Sequence, residues 1–570
     1  MLSSIISKCR HVGYAAGYDR RLKFKAVCWN KLNCRPFSSL IIKNGLIVNA
    51  DRKFEGHVKV QNGKIIQVFE KNSESEEFSF QADTIIDAKG KFVVPGGIDP
   101  HVHLEMPFMG THSIDGYREG TRAGLAGGTT TLIDFIIPAP GQDLVDAYKE
   151  WQGRAENNTC SDYGFHCGIT YWDDSVPLGM ERLVKEYGVT SFKVFLAYKG
   201  SLMINDEECL KVLETAKKLG AIVMAHCENG DMVERGQSKM HDMGIFGPEG
   251  HYFSRPNDIV EQEATHRAIA LARSVNTPLY VVHVMSPAAC DEVHRGRSSG
   301  QVIFGETLAS ALGVDGTHLE NPEFRHAAGF VMSPPLTMET NAKAELMKRL
   351  ACDQLQLVST DNCTFSTSQK ELGKLDFARI PNGCNGIEDR LSVVYSEGVD
   401  NGLLSICDFV RVTSTAAAKI FNIYPRKGVI QKGSDADLVI FDPSQSRVVS
   451  YKTHHHAVDF NIFEGMKLNG VVHTTISNGV VKYSVDGDRN TNEFIEQFVG
   501  TGRYLQRDSF GFPFERIDAL DKKKEERIRK KSNNFSQVHS LSINFANIYN
   551  IEISQSIYLI LKYFILTQKK

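Results

Sequence analysis

The 570-residue chain reads as an α/β protein: a (β/α)8 TIM-type barrel with a small β-sandwich formed from the segments flanking it. Three observations predict this. Eight β-branched or apolar runs end near His103, Phe135, Gly168, Phe195, His226, Val284, Glu306 and Asp361, most followed by a helix-compatible segment. Continuous apolar runs suit parallel strands covered on both faces, and eight units in about 270 residues match a barrel of this type. Two sets of short alternating strands lie on either side of the barrel, and neither is large enough to bury a sheet face alone.

Taken in order, residues 1–39 form a basic extension, with eight Lys or Arg and one acid, Asp19, among the first 40 residues. That composition resembles a mitochondrial presequence. The expected location is the cytoplasm, or the mitochondrion if the extension is a presequence. Residues 40–95 carry the first strand set, with Asn44-Gly45 and Asn62-Gly63 as hairpin turn signals. Residues 96–425 hold the barrel. Residues 426–485 return to short strands, such as Ala436-Asp437-Leu438-Val439-Ile440-Phe441, and complete the sandwich. Residues 486–514 are expected to help pack subunits. Residues 515–570 form a charged tail, read as disordered, that includes Lys522-Lys523-Lys524-Glu525-Glu526-Arg527.

Composition bounds the function. The apolar fraction of 42% and charged fraction of 23% are those of a globular protein. A net charge of -3 gives no general attraction to nucleic acid or anionic membrane. No apolar run reaches the roughly 18 residues of a membrane span. The twelve cysteines contain no Cys-x-x-Cys pair and read as reduced thiols.

The chemistry sits at the ends of the apolar runs. His101 and His103 lie in Asp99-Pro100-His101-Val102-His103. Alternate strand residues share a side, so both can reach one ion. His226, His283 and Asp361 end three other runs. In a parallel barrel every such end opens on one mouth, so these side chains converge there. Imidazole and carboxylate suit zinc, with manganese, iron or cobalt as alternatives. Lys193, in Ser191-Phe192-Lys193-Val194-Phe195, is the odd member. An ammonium repels cations, but burial favours the neutral amine. A neutral amine can take up carbon dioxide and become an anionic carbamate that bridges two metals. The plainer alternative is a strand lysine paired with an acid.

Several separated motifs follow one another along the chain: Gly96-Gly97-Ile98-Asp99-Pro100-His101-Val102-His103-Leu104-Glu105-Met106-Pro107-Phe108, Gly127-Gly128-Thr129-Thr130-Thr131, Phe192-Lys193-Val194-Phe195-Leu196-Ala197-Tyr198-Lys199-Gly200, Met332-Ser333-Pro334-Pro335, Ser359-Thr360-Asp361-Asn362-Cys363 and Ile380-Pro381-Asn382-Gly383. Together they resemble the dihydropyrimidinase and hydantoinase branch of the cyclic amidohydrolases. The resemblance spans residues 40–500. It implies two Zn2+ per subunit, bridged by carboxylated Lys193 (N6-carboxylysine) and a hydroxide. His101, His103 and Asp361 would hold one ion, and His226 and His283 the other. It implies catalytic roles for Asp361 and Tyr198, and substrate contacts at Tyr198, Ser333 and Asn382. The implied substrate is a small cyclic ureide or imide. The implied reaction opens 5,6-dihydrouracil or 5,6-dihydrothymine to N-carbamoyl-beta-amino acids, the second step of reductive pyrimidine catabolism. A homotetramer is the implied assembly.

Rival readings are a hydantoinase, an allantoinase-type amidase, or a non-catalytic scaffold like the collapsin response mediators. The scaffold group has lost metal ligands, and this chain keeps all six. Glu105 stands where dihydroorotase-like enzymes carry an arginine for a substrate carboxylate. His454, His455 and His456 look like a metal tract but fall after the barrel, and are read as a surface or interface feature. Cys363 is read as a pocket-wall thiol.

Overall fold

The computed structural model describes residues 39–71, 79–339, 341–517 and 521–529. The presequence reading, in residues 1–38, lies outside them. Eight parallel strands follow one another in chain order: β1 (Gly97–Val102), β2 (Thr129–Ile136), β3 (Asp162–Gly168), β4 (Ser191–Phe195), β5 (Ile222–His226), β6 (Leu279–Val281), β7 (Ile303–Leu308) and β8 (Leu357–Ser359). The ring nearly closes between β8 and β1. There Val102 bridges Asn362 in parallel, and the His103 N–H donates to the Asn362 carbonyl at 2.9 Å. Every residue of β1 to β8 is buried, because helices cover the outer face and side chains fill the inner one.

Local sequence sets the covering helices. Asn205 opens the helix Asp206–Leu219 with a capping box closed by Glu208. Gly188 and Gly220 end the helices Val176–Tyr187 and Asp206–Leu219 at φ 67° and 68°, where a Cβ is disfavoured. The same two glycines admit the C-terminal segment. A Cβ on Gly188 would lie 2.8 Å from the Arg507 nitrogen, and one on Gly220 would lie 2.4 Å from the Phe510 ring.

The flanking sets join into one additional sheet. Strand Phe92–Pro95 splices them edge to edge: it pairs in parallel with Ser39–Val48 and antiparallel with Leu438–Val448. The result is one continuous eight-stranded sheet that curls until Lys64 bridges Asp435. Ile42, Ile47, Val58 and Val93 from the first set share a single core with Leu438, Ile440 and Ile476 from the second.

Residues 486–514 lie against their own barrel. The Leu505 N–H donates to the Tyr163 carbonyl, that of Arg507 to Gly188 and that of Phe510 to Gly220. Tyr163 lies at the start of β3, and Gly188 and Gly220 lie two or three residues before β4 and β5, so the segment crosses the N-terminal end of the barrel. Arg507 is 4% exposed and donates to the Ser191 hydroxyl and the Phe165 carbonyl. The boundary expected at residue 515 is too early. Phe514 and Ile517 are buried beneath the barrel, and Asp521 pairs with Lys217 at 2.7 Å and Asn276 at 2.6 Å. The surface reading of the histidine tract is also corrected. His455 holds Glu388 through Nδ1 at 2.9 Å, and His456 holds Asp115 at 2.6 Å, both buried.

Candidate metal centre

The C-terminal ends of the strands bring the six sequence-predicted residues together. His101 lies near the end of β1 and His103 just beyond it, with ring centroids 5.3 Å apart. Asp361, two residues past β8, accepts from both: its Oδ1 lies 3.1 Å from His101 Nε2 and 3.2 Å from His103 Nε2. Lys193, inside β4, reaches His101 Nε2 with its Nζ at 2.9 Å. His226 ends β5, and its Nδ1 faces His283 Nε2 at 2.8 Å. The His101 and His283 rings, 5.4 Å apart, join the two halves. Asp361 and His283 turn away from their strands at φ 50° and 38°, and Tyr198 does so at φ 62°. Non-glycine residues in this region mark backbone bent to aim a side chain.

Burial sets the charge states. It pushes the imidazoles of His226 and His283 below the ordinary range, and holds His103 at about 4, against the opposing pull of neighbouring acids. These three rings are neutral and carry lone pairs. For His101 burial also lowers the pKa, but Asp361 and Glu306 on either side outweigh it and the net shift is upward. Asp361 is likewise opposed by burial, yet His101 and His103 draw its carboxyl well below the usual range. Lys193 is 2% exposed and lowered to about 8, chiefly by burial. No carboxylate lies within ion-pair distance of its Nζ among the described residues. The ammonium instead stands over the Phe135 ring at 4.3 Å. The plainer alternative, a lysine paired with an acid, is not what the geometry shows.

Behind the six residues stand supports that the sequence reading missed. Glu306 accepts from His101 Nδ1 at 2.5 Å, from the Tyr280 hydroxyl at 2.5 Å and from the His283 N–H at 3.2 Å. Glu228 engages His226 Nε2 at 2.8 Å and is itself faced by Arg255 at 3.7 Å. Each carboxylate thereby fixes which imidazole nitrogen points inward, as the outer partners of metal-bound histidines do. Both had a signal: Glu306 is an acid near the end of an apolar run, and Glu228 follows His226 by two.

The donor set fits a divalent cation. Nitrogen and oxygen donors converge from five elements, three imidazoles are neutral, and the ligand atoms of His101, His283 and Asp361 lie within 4.8 Å of one another. The adjoining pocket is lined by Met106, Phe108, Tyr198, Ser333, Cys363 and Asn382, among others. Cys363 forms part of this wall, and burial raises its thiol. The Ser333 hydroxyl accepts from Arg255 at 3.0 Å and from Asn382 Nδ2 at 3.0 Å, so these side chains tie two loops together. Among the described residues no protein partner is recorded for the main-chain groups of Ser333 or Asn382.

A family model described as "Amidohydrolase family" matches residues 92–482. A dihydropyrimidinase of Dictyostelium discoideum is 50% identical over 492 residues, covering 86% of this chain and 95% of that protein. The crystal structure of dihydropyrimidinase from Brevibacillus agri NCHU1002 superposes with a TM-score of 0.78 at 40% identity, over 83% of this chain and all of the other. A D-hydantoinase crystal structure gives a TM-score of 0.78 at 41% identity with the same coverage.

Proposed function

The chain belongs to the amidohydrolase family, and we propose that it is a zinc-dependent cyclic amide hydrolase that opens 5,6-dihydropyrimidines to N-carbamoyl-beta-amino acids. One observation carries this reading: Lys193, His101, His103, His226, His283 and Asp361 meet beside a pocket whose wall presents Tyr198, Ser333 and Asn382. The names of the similar proteins, dihydropyrimidinase and D-hydantoinase, support it. The reading includes a homotetramer, the assembly that the family resemblance implies.

His101, His103 and Asp361 would hold one zinc ion, and His226 and His283 a second. Lys193, carboxylated on Nζ, would be held by both ions. Among the described residues the buried Lys193 amine has no acid partner, and carboxylation of its neutral form gives an anion that suits metal. When bound, the metal pair supplies Lewis acidity and a water acidified toward neutrality.

The protein's own groups do the rest. The main chain of Ser333 and Asn382, without a backbone partner among the described residues, suits an imide edge, an N–H flanked by two carbonyls. A water oxygen adds to the ring carbonyl while Asp361 takes its proton on a carboxylate oxygen. Charge develops on the former carbonyl oxygen. Tyr198 is suited to meet it, since burial, followed by the nearby Glu228 charge, raises its phenol and keeps it protonated. Asp361 then delivers the proton to the ring nitrogen as the C–N bond breaks. The product carries a carboxylate and a terminal ureido group.

Turnover of dihydrouracil, dihydrothymine, hydantoin and allantoin by one preparation tests the substrate class. The expected order puts the two dihydropyrimidines first. Allantoin as the best substrate, or no opening of any of the four, would reject the proposal. Hydantoin in the lead would favour the second reading, a hydantoinase, which the 41% identity to a D-hydantoinase supports.

Two substitutions test the supporting residues. Tyr198→Phe is expected to lower kcat by about 10²–10³, as for loss of one oxyanion donor. An unchanged kcat would remove Tyr198 from that role. Glu306→Gln should weaken metal retention by about 10–100-fold, as for loss of an outer carboxylate on a metal-bound histidine. Chelator competition reads this, and wild-type retention would show that Glu306 does not support the site.

A further inference from the structure

We propose that Lys370 is a positioning residue for substrate binding: its buried Nζ holds in register the two pocket loops that carry Ser333 and Asn382. The inference rests on the cyclic-imide reading above and names what shapes the recognition edge.

Lys370 ends the short helix Thr367–Lys370, which opens with a capping box between Ser366 and Gln369. Gln369 ties this turn to the pocket loop after β1, donating to Thr111 Oγ1 at 2.7 Å and to the His112 carbonyl at 2.9 Å. The Lys370 side chain then runs inward and is 3% exposed. Its Nζ donates to the Val331 carbonyl at 3.0 Å and the Gly383 carbonyl at 2.8 Å, and lies 5.8 Å from the centre of the Phe365 ring. Among the described residues no carboxylate is within ion-pair distance. Burial pulls this lysine down to about 7, against smaller opposing effects of the Cys384 and Cys363 thiols.

A buried amine without an acid partner costs stability, and a methionine of similar length would fill the space without that cost. What methionine would lack is the pair of hydrogen bonds. Val331 is two residues before Ser333, and Gly383 directly follows Asn382. The loops also meet through the Gly383 N–H, which donates to the same Val331 carbonyl at 2.9 Å. At Gly383 the backbone has φ 143°, and a Cβ would fall 2.2 Å from the Cys363 carbonyl oxygen. Gly383 itself therefore offers no side chain to anchor its position, and the neighbouring Asn382 ties only its side-chain amide to Ser333. Lys370 supplies the anchor from a third element. It grips carbonyls adjacent to the free main-chain groups, so its effect should fall on binding more than on bond breaking.

The test is steady-state kinetics and metal content of wild type, Lys370→Met and Lys370→Gln, using whichever cyclic imide the wild type opens best. Lys370→Met is expected to raise KM about tenfold, the scale of losing its pair of hydrogen bonds. Lys370→Gln keeps two N–H donors on a shorter stem, so its rise should be smaller. In both, kcat and metal content should stay within about threefold of wild type, since neither metal ligands nor reacting groups are touched. KM near the wild-type value in both variants would overturn the proposal. So would metal and kcat falling together at constant KM, or failure of both variants to fold, each of which marks a purely structural lysine. If only Lys370→Met fails to fold, Lys370→Gln decides by the same criterion. A wild type that opens no cyclic imide rejects the functional reading first, and this inference with it.

Discussion

Lys193→Ala is expected to lower turnover by on the order of 10³-fold or more, because loss of metal removes several kcal/mol of transition-state stabilisation. Lys193 is buried inside β4, with its Nζ 2.9 Å from an imidazole nitrogen and, among the described residues, no acid to pair with it. Burying this amine without an acid costs the fold what its contacts to His101 and Phe135 return, so alanine should leave the thermal stability of the metal-free protein little changed, while metal content falls. The substitution also vacates the space of the side-chain stem. Acetate or propionate can enter there and present two oxygens where the carbamate would stand, so partial rescue by short carboxylic acids is expected. A structural lysine would behave differently: its loss would reduce stability, leave bound metal in place and show no response to carboxylic acids. Full metal content and rate in Lys193→Ala would defeat the bridging role.

Asp361→Asn is expected to cost about 10³-fold or more in kcat, within the range for loss of a positioned proton carrier. Asparagine keeps the size of the side chain and its place between His101 and His103, so the fold should tolerate it. It loses the negative charge that both rings attract, and it cannot take a proton from water and return it to nitrogen. KM should change much less than kcat, because the interaction is made in the transition state. A rate within about tenfold of wild type would remove Asp361 from proton transfer, since such a role is worth more than that.

The strands and the six inward residues were legible in the sequence for the same reason. Strands of a parallel barrel are buried on both faces, so they stand out as unbroken apolar runs, and a polar residue closing such a run draws the eye. The expected strand ends fall within three residues of the observed ones, from Val102 at β1 to Ser359 at β8. What escaped depends on pairing across long separations. His456 looked like part of a surface tract because its partner, Asp115, is 341 residues away. Arg507 gave no sign that it would enter the base of the barrel, since the Gly188 and Gly220 openings that admit its segment lie in helix stops with an ordinary local explanation. Glu306 was read only as a strand end, although its carboxylate organises His101, Tyr280 and His283 together. Lys370 ends the polar stretch Ser366-Thr367-Ser368-Gln369, and nothing local marks it as buried.

On the proposed function, two metal ions held by these six residues are needed to open a cyclic imide. Titration of metal-stripped protein with Zn2+ in bicarbonate, with dihydrouracil opening followed at each step, measures that need. The rate is expected to rise to its maximum at two equivalents per chain. A maximal rate at one equivalent or none, or no opening at two, would contradict it.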